Sequence, residues 1–140
     1  MDYWTISHAM LTDLHMQYPD HVFEFTGFSM GGALAQRHAL YWENSSAIVF
    51  GSNGIEDIVH ASSENDMMNM QDVASLHNFF HVDDETPRMD CQMPSASICT
   101  FTSDSNNDDD IDVHANLVYG NGFINAQQQG RLQCTLGKEW

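Results

Sequence analysis

The order of elements along the sequence predicts an α/β fold: a mostly parallel sheet flanked by helices, forming one domain over residues 1–140. Three observations lead there. Short β-forming runs alternate with stretches of helix formers. One of these runs, Ala47-Ile48-Val49-Phe50, is continuously apolar and ends at Gly51, as a strand buried on both faces should. A glycine-rich turn, Gly27-Phe28-Ser29-Met30-Gly31-Gly32, joins a strand to a helix. A chain of 140 residues is long enough to bury a single core.

Taken in order, Trp4, Leu11, Leu14 and Tyr18 fall at helical spacing with Met10 beside them, and Pro19 ends the run, so residues 3–18 are predicted helical. His21-Val22-Phe23-Glu24-Phe25-Thr26 is rich in β-formers and stops at Gly27, which predicts the first strand. Residues 31–42 place strong helix formers after two glycines and predict a second helix. Ala47–Phe50 is the second strand. From Asp66 to His77, Met67, Met70, Val73, Ala74 and His77 share one stripe, which predicts a helix with methionine-rich packing. Asn78–Val82 and Ser97–Phe101 read as the third and fourth strands. Ser103–Asp112 is polar and acidic and reads as a loop. From Val113 the chain reads as a closing helix interrupted by Gly120 and Gly122.

Twenty Asp and Glu against four Lys and Arg leave a formal net charge of -16 with eight histidines neutral. Binding to a phosphate backbone needs clustered cations, so nucleic acid is excluded as a partner, and docking on anionic lipid is excluded with it. The apolar share of 42% is that of a folding chain, so a disordered acidic tail is excluded too. No run approaches the roughly 20 apolar residues of a membrane span, so no transmembrane segment is expected. The start, MDYWTISHAM, has neither a positive region nor a continuous apolar region, so no signal peptide is expected and the compartment stays open. Cys91, Cys99 and Cys134 are too few for a disulfide scaffold. Cys91 and Cys99 are close enough in sequence to bridge a hairpin, with free buried thiols as the alternative. The acidic stretch Asp104–Asp112 partly imitates a calcium loop, but Asp109 stands where glycine is needed and Ala115 where the terminal glutamate is needed. It reads as a solvated loop, and no metal or cofactor is expected.

The chemistry is carried by Gly27-x-Ser29-x-Gly31. Between a strand and a helix this pattern is a nucleophile elbow: the turn exposes the serine hydroxyl, and the helix that starts there aims N–H groups at a developing oxyanion. The Met30 N–H is the expected oxyanion donor. The plain reading of the same residues is a glycine-rich loop with an incidental serine. A serine nucleophile needs a base, and the base needs an orienting carboxylate, in the order Ser, acid, His. Asp83 and Asp84 follow the third strand directly, where the acid should sit; an acidic surface turn is the plain alternative. Of the eight histidines only His114 lies downstream of them, which makes it the expected base.

Thr26-Gly-Phe-Ser-Met-Gly-Gly-Ala-Leu-Ala35 resembles the signature of the class 3 (fungal-type) lipase family of the α/β-hydrolase superfamily, commonly TGHSLGGALA. Ile48-Val49-Phe50-Gly51-Ser52 resembles the family's next strand, which usually ends FGSP or FGAP. Asn53 stands where proline is usual and Phe28 where histidine is usual. Similar lipases carry an Asp-x-Val-Pro segment after the third strand, and matching it to Pro87 selects Asp84 over Asp83. Asp112-Val-His114-Ala-Asn-Leu-Val-Tyr119 resembles the H-S-x-x-x-Y segment that supplies the histidine.

The resemblance implies a partial α/β-hydrolase fold lacking the usual N-terminal strands. It implies a carboxylic-ester hydrolase forming an acyl-enzyme on Ser29, with His114 as base, Asp84 as orienting acid, Met30 as oxyanion donor, no cofactor, and a small-molecule ester or lipid as substrate. The R-G-T loop that often gives the family its second oxyanion donor has no counterpart before Val22. The sheet is therefore expected to be completed by a missing N-terminal segment, first of all, or by pairing with another chain, or else to be a rearranged minimal sheet. The alternative is a catalytically inactive hydrolase fragment serving as an acidic interaction or structural domain.

Overall fold

The computed structural model describes residues 2–61, 75–102, 114 and 118–139. Helix α1, Tyr3–Gln17, starts at Asp2, whose carboxylate accepts the Thr5 N–H at 2.8 Å, and ends just before Pro19. Strand β1 spans Glu24–Phe28 and α2 spans Met30–Tyr41. Strand β2 follows at Ser46–Phe50, then the short α3 at Glu56–Ala61. Strand β3, Ser75–His81, leads to a 3-10 turn at Thr86–Arg88 and to β4, Ser97–Phe101. A wide turn at Val118–Gly122 runs into α4, Phe123–Gln128, and the chain returns as β5, Gln133–Leu136.

The five strands form one sheet in the order β1-β2-β3-β4-β5. The first three pairings are parallel and β4–β5 is antiparallel. This is the expected α/β class. Register and pleat sort the side chains. Ala47, Val49, Leu76, Asn78 and Ile98 lie on one face, all buried, and α2 packs there against β1 and β2. On the other face Phe50, Phe79 and Phe101 meet Phe123 of α4 at ring separations of 4.9 to 6.0 Å. Helices therefore cover the sheet from both sides, while β1 stands at its edge.

Several sequence expectations are corrected. The first strand is not His21–Thr26 but Glu24–Phe28, because pairing with β2 continues through Gly27 to Phe28. His77 is not on a helix; it pairs with Ile48 and Ser97 in the middle of β3. The remainder of that predicted helix, with Met67, Met70, Val73 and Ala74, lies outside the described residues, as does the acidic loop 103–112. The closing helix is broken into α4 and an extra strand, β5, which the apolar pattern does not announce. The cysteine expectation fails for the same reason. Cys99 and Cys134 are register partners across β4 and β5 and form the disulfide, while Cys91 is free and exposed. Among the described residues, no helix is long and apolar enough to cross a membrane.

Candidate active site

The strand-to-helix turn sets up the site. β1 ends at Phe28, α2 begins at Met30, and Ser29 between them has φ 54° and ψ -127°. A non-glycine residue in this left-handed region costs on the order of 1–3 kcal/mol and persists only where its surroundings enforce it. Here the Ser29 N–H is held by the Phe50 carbonyl at 3.0 Å, and the Ser29 carbonyl accepts the Gly32 and Ala33 N–H groups at 2.9 and 3.2 Å. The first helical residue, Met30, has no carbonyl within its own helix for its N–H to bond.

Close backbone approach explains two of the glycines. A Cβ at Gly27 would strike the Gly31 carbonyl, and one at Gly32 would lie 2.6 Å from the Ser52 Cβ. A Cβ at Gly31 would meet nothing within 4 Å. The sequence pattern weighs Gly27 and Gly31 alike, yet the turn needs Gly27 and Gly32.

The three residues expected to act together are brought together. The His114 Nε2 lies 2.8 Å from the Ser29 Oγ, and its Nδ1 lies 2.7 Å from Asp84 Oδ2. These contacts join residues 85 and 30 positions apart in the chain. Because Asp84 is acceptor-only when ionised, Nδ1 carries the proton, and Nε2 is left as the acceptor facing the serine hydroxyl. The structure separates the two acidic candidates. Asp84 is buried, whereas the Asp83 side chain is 74% exposed and turns toward His81 Nδ1 at 3.7 Å. His81 Nδ1 accepts the Asp83 N–H at 3.2 Å, and burial holds the His81 imidazole below its ordinary pKa against the pull of Asp83 and Asp84.

Asp84 is a buried carboxylate with three donors. The Tyr119 hydroxyl shares Oδ2 with His114, and the Thr86 N–H reaches Oδ1 at 2.9 Å. Burial pushes the carboxyl up, but the hydrogen bonds from His114, Tyr119 and Thr86 outweigh it and hold the pKa below the ordinary value. Asp84 is thereby kept ionised. Tyr119 also accepts the His81 N–H at 3.2 Å, and burial together with the Asp84 hydrogen bond raises its hydroxyl well above the usual tyrosine range. It stays a donor. Sequence reasoning places Tyr119 in the His114 segment without assigning it a role; its one signal is its place five residues after the histidine. Gly51, with φ 53°, clears the space beneath this pair, since a Cβ there would lie 2.8 Å from the Tyr119 ring and 3.2 Å from Asp84 Oδ2.

A second set of polar residues, also unanticipated, ties the supporting elements together. Gln36 of α2 donates to Ser52 Oγ at 2.8 Å. Asn78 of β3 donates to the Ser52 carbonyl at 2.7 Å and to Gln92 Oε1 at 3.2 Å, and Gln92 donates to the Pro87 carbonyl at 2.7 Å. The chain of bonds runs from the helix behind Ser29 to the turn that follows Asp84. All four side chains are buried. Among the described residues, no cluster of His, Cys, Asp and Glu has a metal-binding arrangement. Comparison with protein-family models, with curated proteins and with solved structures finds no match to this chain.

Proposed function

We propose that the protein is a serine carboxylic-ester hydrolase of α/β-hydrolase type, lipase- or esterase-like, acting through an acyl-enzyme on Ser29. The observation that carries this reading is the continuous hydrogen-bonded relay Ser29–His114–Asp84, with its serine held in left-handed backbone at the start of a helix.

In the first half-reaction the Ser29 Oγ attacks the ester carbonyl carbon while its proton passes to His114 Nε2. Asp84 remains ionised and holds the imidazolium through Nδ1. The carbonyl oxygen becomes an oxyanion, for which the Met30 N–H at the start of α2 is the proposed donor. The tetrahedral adduct collapses, the bond to the alkoxide breaks, and the leaving oxygen takes the proton from Nε2. Water then attacks the acyl-Ser29 ester by the same route and releases the carboxylic acid. These steps need no cofactor. A protein of net charge -16 disfavours anionic substrates, which leaves neutral esters and lipids as the suited class.

The test is turnover of p-nitrophenyl butyrate and octanoate by folded protein. Hydrolysis that falls by at least about a thousandfold in Ser29→Ala and in His114→Ala is expected. Absence of turnover in wild-type protein would favour the non-catalytic acidic domain instead. Turnover surviving His114→Ala would show that another group is the base.

A further inference from the structure

Phe28 is the last residue of β1 and the immediate neighbour of Ser29. Its ring lies against the His114 imidazole with centroids 4.8 Å apart and planes 28° from parallel. The same ring meets Tyr119 edge-on at 5.2 Å. Tyr119 in turn meets His114 edge-on at 6.2 Å and bonds to Asp84. The imidazole thus has Asp84 at one nitrogen, Ser29 at the other, and an aromatic ring over one face. Its side chain is 27% exposed, so the remaining surface is partly open to water.

We propose that Phe28 is a positioning residue for the reaction, clamping the His114 ring in the plane that joins Ser29 to Asp84 and stabilising the imidazolium formed when the serine proton is transferred. The inference rests on the hydrolase reading above. The physical case has two parts. An imidazole held only at its two nitrogens can still tilt about the line between them, and a stacked ring opposes that motion. An aromatic face also attracts a cation, so the contact is stronger after proton transfer than before it. Interactions that strengthen toward the transition state raise kcat, whereas those equal in both states do not. Phe28 is itself well anchored, because pairing with Phe50 fixes its backbone, which is continuous with that of the nucleophile. Asp84 and Tyr119 are the titratable groups described around the imidazole. Phe28→Leu leaves both side chains in place but removes the ring that meets Tyr119 edge-on, which Phe28→Tyr keeps.

Three proteins decide the matter: wild type, Phe28→Leu, which keeps apolar bulk without a π face, and Phe28→Tyr, which keeps the ring. The readouts are kcat and KM against pH with p-nitrophenyl butyrate, fluorophosphonate labelling, and titration of the His114 ring protons by NMR. In Phe28→Leu, kcat is expected to fall roughly threefold to tenfold with little change in KM. The acidic limb of the pH–rate profile and the NMR midpoint should both move about half a pH unit lower. Phe28→Tyr should recover most of both differences, which a fold defect from changing this position would not allow. A labelled, active wild type whose kcat, pH profile and titration match those of Phe28→Leu would overturn the role of Phe28 alone. A wild type that neither labels nor turns over ester, yet shows the NMR difference, would overturn the hydrolase reading and with it any catalytic role for the contact.

Discussion

At the scale of single residues, the site depends on where side chains are absent as much as on where they are present. Gly27 and Gly32 allow the backbone of α2 to approach β1 and the Ser52 side chain, and Gly51 allows Tyr119 to reach Asp84. Gly31, although part of the same motif, is sterically unconstrained and helical. Gly31→Ala is therefore expected to raise unfolding stability by about 0.4–1 kcal/mol, because alanine reduces the freedom of the unfolded chain. Gly27→Ala should lower it by well over about 1 kcal/mol, since the clash is with backbone. Urea denaturation of the two variants checks the contrast, and equal effects would contradict it. Tyr119→Phe removes a donor from buried Asp84 and an acceptor from the His81 N–H, at a cost of about 1–3 kcal/mol. The carboxylate then loses part of what holds its pKa low. A depressed folded-state pKa gives stability that is present above the unfolded value and lost as pH falls through the folded one. Acid unfolding of Tyr119→Phe should accordingly begin at higher pH than in wild type, as followed by circular dichroism.

At the scale of elements, two attachments govern the site's surroundings. Helix α1 has no buried residue of its own and rests on α2 through rings: Trp4 stacks on His38 at 4.4 Å, and His8 meets Tyr41 edge-on at 4.4 Å. Ser7 Oγ lies 2.7 Å from His38 Nε2. Burial, with His8 and Arg37 adding repulsion, pushes the His38 imidazole from 6.5 down to about 4. The unfolded chain therefore binds this proton first. Stability should be complete above about pH 6.5 and decline toward pH 4, by on the order of 2 kcal/mol from this group. Thermal melts at pH 7 and pH 5 should show the loss in wild type and a smaller one in His38→Phe; equal losses would contradict the assignment. The second attachment is the Cys99–Cys134 disulfide, which spans 35 positions of chain that include both His114 and Tyr119. Closing a loop of that length stabilises by on the order of 4 kcal/mol. Cys134→Ser should lower the melting temperature and reduce kcat together, and a variant equal to wild type in both would show that the crosslink does not support the site.

These elements also show how far the sequence can be read. The helix over residues 3–18 and the strand Ser97–Phe101 are legible because apolar spacing and turn residues agree there. The meeting of Ser29 and His114 with an acid after β3 follows from an order of strand, turn and helix that chemistry constrains. Chain order alone leaves Asp83 and Asp84 equal, and only the resemblance at Pro87 prefers Asp84. β5 is not legible: its four residues, Gln133–Leu136, are mostly exposed and carry no alternating pattern. Without it the disulfide partner of Cys99 cannot be chosen, since the pairing follows from antiparallel register and not from distance along the chain. The true extent of β1 is hidden by Gly27, which reads as a strand end but serves as a contact point for α2.

At the scale of the whole molecule, a mostly parallel sheet with helices on both sides carries the candidate site residues at one end of its parallel strands. Ser29 follows β1, Gly51 follows β2, and Asp84 follows β3. In parallel sheets this is the end at which loops converge and ligands bind. Under the proposed reading, the excess of acidic residues bears on which substrates approach, and the chemistry falls to Ser29, His114 and Asp84. The central claim is that Ser29 is a nucleophile activated by His114, and covalent capture tests it most directly. Folded protein treated with a fluorophosphonate probe, digested and mapped by mass spectrometry should carry one adduct, on Ser29, with labelling lost in Ser29→Ala and greatly slowed in His114→Ala. Folded wild-type protein that takes up no probe, or takes it up at another serine, would contradict the claim.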